Sequence, residues 1–525
     1  MPNVIRNPIL PGFHPDPCIC RKGGDFYVAN STFQWWPGVA ISHSRDLVNW
    51  QLVGYGLTRR SQLDMERIPD SGGIWAPCLS FCEADGLFYL VYTNVNRPSP
   101  VAPIETPNTV VTAEDPRGPW SEPVLLNRSG FDPSFSHDDD GRTWMVNMLL
   151  GYRPGQPFFD GILLQEYSRA ERRLVGPVVN IFRGTDLGAT EGPHLLKRGP
   201  WYYLIVAEGG TGYSHAMTMA RSKSVGGPYE VHPDNPIMTA HGTDLPIQKA
   251  GHGNLVETPR GEWYGVFLCG RPNADRRCVL GRETAIERGH WDDDGWFRFD
   301  SAHPRLEVPA PDLPVAPVHA APVRDDFDAA ELALPWNALR MPHGDEVSLA
   351  ARPGWLRLSG MPHPIETNQR QALVARRVEH RDFDAAACME YAPQNAWQFA
   401  GLTCFYCHTV YYWLRVGRDE EQGVVVELVR RRGGELTLEG RIRADGWPRF
   451  HLRVEARDDG YRFAASPDGE SWRPVGEAQD GSVLSDEAAR EFGFAFTGAY
   501  VGLAAQDISG GGLHADFDWF DYRGS

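Results

Sequence analysis

Five short motifs, spaced almost evenly through the first half of the chain, constrain its fold more than any other feature. They are Phe13-His14-Pro15-Asp16-Pro17, Gly73-Ile74-Trp75-Ala76-Pro77, Gly130-Phe131-Asp132-Pro133-Ser134, Thr190-Glu191-Gly192-Pro193-His194 and Ala250-Gly251-His252-Gly253. Measured at Asp16, Trp75, Asp132, Glu191 and His252, the steps are 59, 57, 59 and 61 residues. Each motif leads through a short apolar stretch and a polar turn into an aromatic strand. Phe26-Tyr27-Val28, Phe88-Tyr89-Leu90, Trp144-Met145-Val146, Tyr202-Tyr203-Leu204 and Trp263-Tyr264 mark these strands. A fixed period of this length with several short strands per unit predicts a β-propeller, here of five blades. Equivalent points of successive blades face one axis. Three carboxylates, an indole and an imidazole are therefore expected to converge there.

The repeats end near residue 307. Residues 308–323 are rich in Pro and Ala and read as an extended connector. From residue 324 to 525 the period is lost. Alternating strands such as Trp355-Leu356-Arg357-Leu358 and Phe450-His451-Leu452-Arg453-Val454 predict a two-sheet antiparallel sandwich of concanavalin or lectin type. Two domains also suit 525 residues, too many for one ordinary core. The fold class is thus all-β. Helix signals are scarce, the clearest being 484–490 with Ser485 as its N-cap.

Charge and cysteine usage narrow the function classes. A net charge of −17 repels nucleic acid, and the short Arg430-Arg431-Arg432 run reads as a solvated strand end. Met1-Pro2-Asn3-Val4-Ile5-Arg6 has no apolar signal core, and no apolar stretch is long enough to cross a bilayer. Nine cysteines, an odd number, fit a reducing compartment, so a cytoplasmic location is expected. Cys404 and Cys407 have CxxC spacing but lie in an apolar run without a second pair. They read as packed thiols, as do Cys18 and Cys20.

The chemistry rests on the acids. Proline following Asp16 and Asp132 predicts extended backbone at both, fixing the direction of each carboxylate. An Asp-Pro pair taken alone reads as a turn that caps a strand. Three acids at one phase of the repeat are a stronger signal. In one pocket they cannot all ionise at ordinary pKa, so at least one is held protonated near neutral pH. A base, a raised-pKa acid and aromatic walls are the parts needed to cleave a glycosidic bond with inversion, with the two carboxyls roughly 6.5–9.5 Å apart.

These motifs, together with Gln248-Lys249-Ala250-Gly251-His252, Leu280-Gly281-Arg282-Glu283-Thr284 and His514-Ala515-Asp516-Phe517-Asp518, resemble glycoside hydrolase family 43 in its two-domain β-xylosidase form. The resemblance spans essentially the whole chain. It implies an inverting exo-enzyme that releases xylose from the non-reducing end of β-1,4-xylo-oligosaccharides, with α-L-arabinofuranosidase side activity. It implies Asp16 as general base, Glu191 as general acid and Asp132 as the carboxylate that tunes and orients the acid. Arg282 and His252 are implied to bind sugar, with Phe33 and Trp75 as pocket walls. A sandwich residue, Phe496 in preference to Phe494, is implied to close the pocket. No cofactor is implied for the reaction. A hydrated Ca²⁺ beside His252 is implied, against a default reading of that imidazole as structural. His14 and His194 read as supports of the catalytic motifs. A homodimer or homotetramer is also implied. Two alternatives stand beside this reading: an enzyme whose main activity is arabinofuranoside cleavage, and a silent propeller that only binds carbohydrate.

Overall fold

The computed structural model describes residues 4–97, 103–318 and 322–525. Two expectations therefore lie partly outside the described residues: that for Met1-Pro2-Asn3, and that for the connector at 319–321.

The chain to residue 299 forms five antiparallel sheets, four of four strands and one of five. Each begins with the strand that carries or directly follows one of the recurring motifs. These first strands are β1 (Cys18–Lys22), β2 (Gly73–Cys82), β3 (Ser134–His137), β4 (Glu191–Arg198) and β5 (Gln248–Glu257). They touch one another in cyclic order, with β5 meeting β1 again.

The apolar alternation explains why the ring forms. Each sheet is apolar on both faces, so neighbouring sheets pack face to face. Ala29, Ile41 and Leu57 of the first sheet meet Leu79, Leu90 and Val111 of the second. Val91 and Val110 then meet Phe135 and Met145 of the third. Val146, Met148 and Ile162 meet Leu204 and Val206 of the fourth. Ile205 and Met219 meet Phe267 and Ala285 of the fifth, whose Val266 and Ile286 return to Ile19, Phe26 and Val28. The apolar surface is thus buried in five wedges between sheets. Stability does not require an apolar axis, which leaves the axis open to polar side chains.

The ring is fastened by its ends. Val4–Arg6 pairs antiparallel with Glu307–Pro309, so the first residues of the connector are a paired strand. Asn7 donates to the carbonyls of Ile286 and Arg305 and accepts from the Ile286 amide.

The C-terminal part is a sandwich of a nine-stranded and a six-stranded sheet. Phe383, Leu452, Val454 and Phe517 from one sheet meet Leu402, Leu414, Leu428 and Leu503 from the other. Its one α-helix, α1 (Asp486–Ala489), carries Ser485 as N-cap, accepting from the Ala488 amide. Cys404 and Cys407 are buried, unpaired thiols on the strand Gln398–Cys407. Arg430, Arg431 and Arg432 end the strand Gly423–Arg432.

The two parts share structure. Ala338–Leu339 pairs with Trp35–Trp36, and the Trp35 indole stacks on Tyr500 with ring centres 3.7 Å apart. Buried Arg340 pairs with Asp70, whose other oxygen meets His408. Removing one partner of a buried pair costs about 3–5 kcal/mol, because the other charge is left unmatched. Arg377 donates to the carbonyl of Phe13, three residues before Asp16.

Candidate active site

All five motif positions line one pocket. Asp16, Trp75, Asp132, Glu191 and His252 face it from five different sheets, and Arg282, Phe33, Phe131 and Thr211 complete its walls. The cavity is about 210 Å³. That is smaller than the roughly 300–1,000 Å³ clefts that take drug-sized ligands, and suits one sugar ring at the reacting end.

The backbone that aims these groups differs from the sequence expectation. Asp16 and Asp132, each before a proline, do not adopt the extended φ expected of them. Their φ values are +50° and +55°. His252 (+48°) and Ala76, next to Trp75 (+28°), share the left-handed region. Left-handed backbone at a non-glycine residue costs on the order of 1–3 kcal/mol and persists where surrounding structure imposes it. At Ala76 and His252 breaks in the sheet ladders impose it, whereas Asp16 and Asp132 stand just ahead of strands whose ladders are unbroken. The register slips between Trp75 and Cys78, between Glu191 and His194, and twice between Gln248 and Gly253. Bulges of this kind turn a side chain out of the pleat, here toward the axis. Gly192 (φ +58°) follows Glu191, and a Cβ there would lie 2.9 Å from the His252 ring. Only glycine lets these two motifs approach so closely.

The three carboxyls have unlike surroundings. Asp16, 6% exposed, accepts from Ser31 Oγ at 2.7 Å and from the Arg282 guanidinium at 3.2 Å. Asp132, also 6% exposed, accepts from the Gly192 amide at 2.9 Å. Burial, then the charges of Glu191 and Asp16, push Asp132 well above the usual carboxylate range. The Glu191 carboxyl makes no hydrogen bond or ion pair among the described residues. Burial, then the charge of Asp16, push it up to about 8. One acid is matched by a guanidinium, and two share the burden of crowding. This is the division of labour that acid–base cleavage requires.

Arg282, 3% exposed, ties the site together. Besides Asp16 it donates to Thr211 Oγ1 at 3.0 Å and to the carbonyl of Phe496 at 2.8 Å. Phe496 belongs to the sandwich. Its amide donates to Ser71 Oγ at 3.1 Å, and its ring lies 5.8 Å from Trp75 and 6.2 Å from Phe33. Phe494 also lines the pocket, with its ring 6.4 Å from Trp75. The loop is pressed close. A Cβ on Gly281 (φ +72°) would sit 2.0 Å from the Thr497 carbonyl. Both phenylalanines thus reach the pocket, and the backbone bond to Arg282 distinguishes Phe496.

The histidines divide. His252 is buried, with Nδ1 3.9 Å from Asp16 Oδ1, and burial lowers it to about 4, so it is neutral. A hard cation such as Ca²⁺ takes 6–8 oxygen ligands. The protein offers one imidazole here, and the nearest carboxylate is already engaged by Arg282 and Ser31. This donor set does not fit a protein-held Ca²⁺. His14 fastens its motif to the fifth sheet: its amide donates to the Arg282 carbonyl, and its own carbonyl accepts from Thr284 Oγ1.

Sequence reasoning missed Thr211, Phe131, Phe158 and Phe159, all of which line the pocket. Phe131 stands inside a quoted motif and could have been found from its position beside Asp132. Thr211 and Phe158 come from loops and Phe159 from the start of the strand Phe159–Ser168, at positions the repeat does not mark.

Comparison with known proteins fits this geometry. The sequence profile of "Glycosyl hydrolases family 43" matches residues 5–297, and that of "Beta xylosidase C-terminal Concanavalin A-like domain" matches residues 324–523. The chain is 47% identical to Xylosidase/arabinosidase 43B of Humicola insolens, over 100% of this chain and 98% of that protein. It is 44% identical to a β-xylosidase of Bacillus subtilis (strain 168), over 99% of both. The crystal structure of a xylan β-1,4-xylosidase from Bacillus halodurans C-125 superposes with a TM-score of 0.96 at 48% identity, covering 99% of this chain and 100% of that one.

Proposed function

Because the chain belongs to glycosyl hydrolases family 43, and is therefore a glycoside hydrolase, we propose that it is an inverting β-xylosidase acting on the non-reducing ends of β-1,4-xylo-oligosaccharides. The observation that carries this reading is the single small pocket into which Asp16, Asp132 and Glu191 all open. The five sheets, packed in a closed ring, are read as the five blades of a propeller.

In the proposed cycle Asp16 takes a proton from a water lying on the face of the sugar opposite the leaving oxygen. The water oxygen bonds to the anomeric carbon as the glycosidic C–O bond breaks. Glu191, protonated because of its burial, gives its proton to the leaving oxygen. Asp132 accepts from the Gly192 amide beside Glu191 and so orients the acid, while burial and the charge of Asp16 keep Glu191 protonated. Arg282 keeps Asp16 in place and presents its one remaining N–H to a sugar hydroxyl. No step is routed through a metal.

Closure by the sandwich supports the exo mode. Phe494 and Phe496 wall the cavity on the side away from the ring, so a chain end enters and an internal segment does not. Xylotriose is expected to give xylose and xylobiose first. An even spread of internal cuts in longer chains would contradict the exo reading.

A second specificity has support of its own, since the Humicola insolens relative is named for both xylosidase and arabinosidase activity. Release rates from xylobiose and from 4-nitrophenyl α-L-arabinofuranoside decide the order, and the faster rate is expected with xylobiose. Binding of xylobiose with no product after long incubation would instead establish a silent carbohydrate binder. A cytoplasmic location and a homo-oligomeric state belong to the same proposal. The location is supported by nine unpaired, buried cysteines.

A further inference from the structure

Immediately beneath the catalytic layer the same inner strands bring a second set of side chains together. Cys18 lies two residues after Asp16 on β1, Cys78 three after Trp75 on β2, and His194 three after Glu191 on β4. The two Sγ atoms and an imidazole nitrogen lie within 4.8 Å of one another. Both thiols are buried, and none of the three groups enters the proposed hydrolysis. Asn254, two residues after His252 on β5, approaches from the next sheet: its Nδ2 lies 3.7 Å from Cys18 Sγ. The layer therefore repeats the logic of the one above it, one step along the axis, with soft ligands in place of acids.

We propose that Cys18, Cys78 and His194 form a binding site for a borderline or soft metal ion of the Zn²⁺ class. Two thiolates and one imidazole are a ligand set Zn²⁺ takes, with a solvent molecule completing the tetrahedron. Zn–S bonds of about 2.3 Å place two thiolates roughly 3.8 Å apart in a tetrahedron. The observed spacing needs only a small contraction. Charge also favours the ion. Binding releases both thiol protons, and two thiolates with one Zn²⁺ are neutral, so nothing charged is left buried. An ion here pins the first, second and fourth sheets to one another at the axis, directly below Asp16 and Glu191. Its role is to hold the catalytic layer, separate from the chemistry.

The test uses the full chain, with Co²⁺ or Zn²⁺ alone as probe, supplied both to purified protein and during expression, since the site is buried. About one equivalent of metal is expected to remain after gel filtration. The Co²⁺ form is expected to show thiolate-to-cobalt charge-transfer absorption. Cys18→Ser/Cys78→Ser should lose that absorption, retain less than about a tenth of an equivalent, and lose the rise in Tm that Zn²⁺ gives the unaltered chain. Unaltered protein that takes up no metal by either route would overturn the proposal, and this outcome does not depend on the variant folding. Metal retained equally by the variant, or a mass two hydrogens short from a Cys18–Cys78 disulfide, would overturn it as well. Because the readouts are metal content and spectrum, failure here is distinguishable from failure of the hydrolase reading.

Discussion

The two halves of the pocket are built on opposite terms. The propeller half supplies every ionisable group of the pocket: Asp16, Asp132 and Glu191 from three different sheets, His252 and Arg282 both from the fifth, with Asp16, Asp132 and His252 on left-handed backbone. The sandwich half supplies two phenyl rings and one backbone carbonyl, on a loop seated against 279–282 by the bond from Ala499 to Val279. Chemistry thus rests on strained positions that the closed ring can enforce. Substrate length rests on an apolar wall that a second domain lays across the mouth. Arg282 is the residue that belongs to both, bonding Asp16 on one side and the Phe496 carbonyl on the other.

Substitutions can break this division. Asp16→Asn removes the group that activates water, and a loss of about 10²–10⁴ in kcat is expected on every substrate. Steady-state rates on xylobiose and on an aryl xyloside check it; a loss confined to one of them would assign Asp16 a different task. Glu191→Gln should lose as much on xylobiose but far less on 4-nitrophenyl xyloside, whose leaving group needs no proton. Equal losses on both would remove Glu191 from the acid role.

Arg282→Lys probes the bridge. A lysine cannot bond two acceptors in the guanidinium geometry. Hydrogen bonds to charged groups contribute about 1.5–3 kcal/mol, so kcat/KM should fall roughly 10- to 150-fold. Phe496→Ala should be milder and felt on the sandwich side: about a tenfold rise in KM for xylobiose with kcat largely kept. A kcat collapse with unchanged KM would show that the sandwich takes part in the chemistry.

The pH profile sharpens the same contrast. Glu191 acts protonated, and its pKa is raised to about 8, so activity should persist through neutrality and fall as pH rises through about 8. Asp132→Asn should leave that alkaline limb near its place, because burial and the charges of Glu191 and Asp16 already push Asp132 well above the usual carboxylate range; kcat/KM across the pH range checks it. A limb moved to lower pH would mean that Asp132 carries a charge while Glu191 titrates.

Much of this was legible in the sequence, for identifiable reasons. Asp16, Trp75, Asp132, Glu191 and His252 could be placed together because a repeat fixes phase, and phase fixes direction toward the axis. The conformation at Asp16 and Asp132 was not legible. Both stand just ahead of their strands, where bonds across the fold, from Ser31 and Arg282 to Asp16 and from the Gly192 amide to Asp132, hold them against the local preference of a residue before proline. Thr211 and Phe158 lie on connecting loops and Phe159 opens the strand Phe159–Ser168, all away from the recurring motifs, where the period carries no information. Phe494 and Phe496 differ by two residues, and only the bond from Arg282 to the Phe496 carbonyl distinguishes them. The Cys18, Cys78 and His194 grouping was hidden for another reason: each looks ordinary alone, and only the offset from its own motif aligns them.

Proton NMR of xylobiose turnover in its first minutes tests the central account most directly, because it reports which anomer of xylose appears before mutarotation. Acids gathered from separate sheets, with water attacking opposite the departing oxygen, predict α-xylose as the initial product. Initial β-xylose would mean a covalent intermediate, and Asp16 could not be the base that activates water.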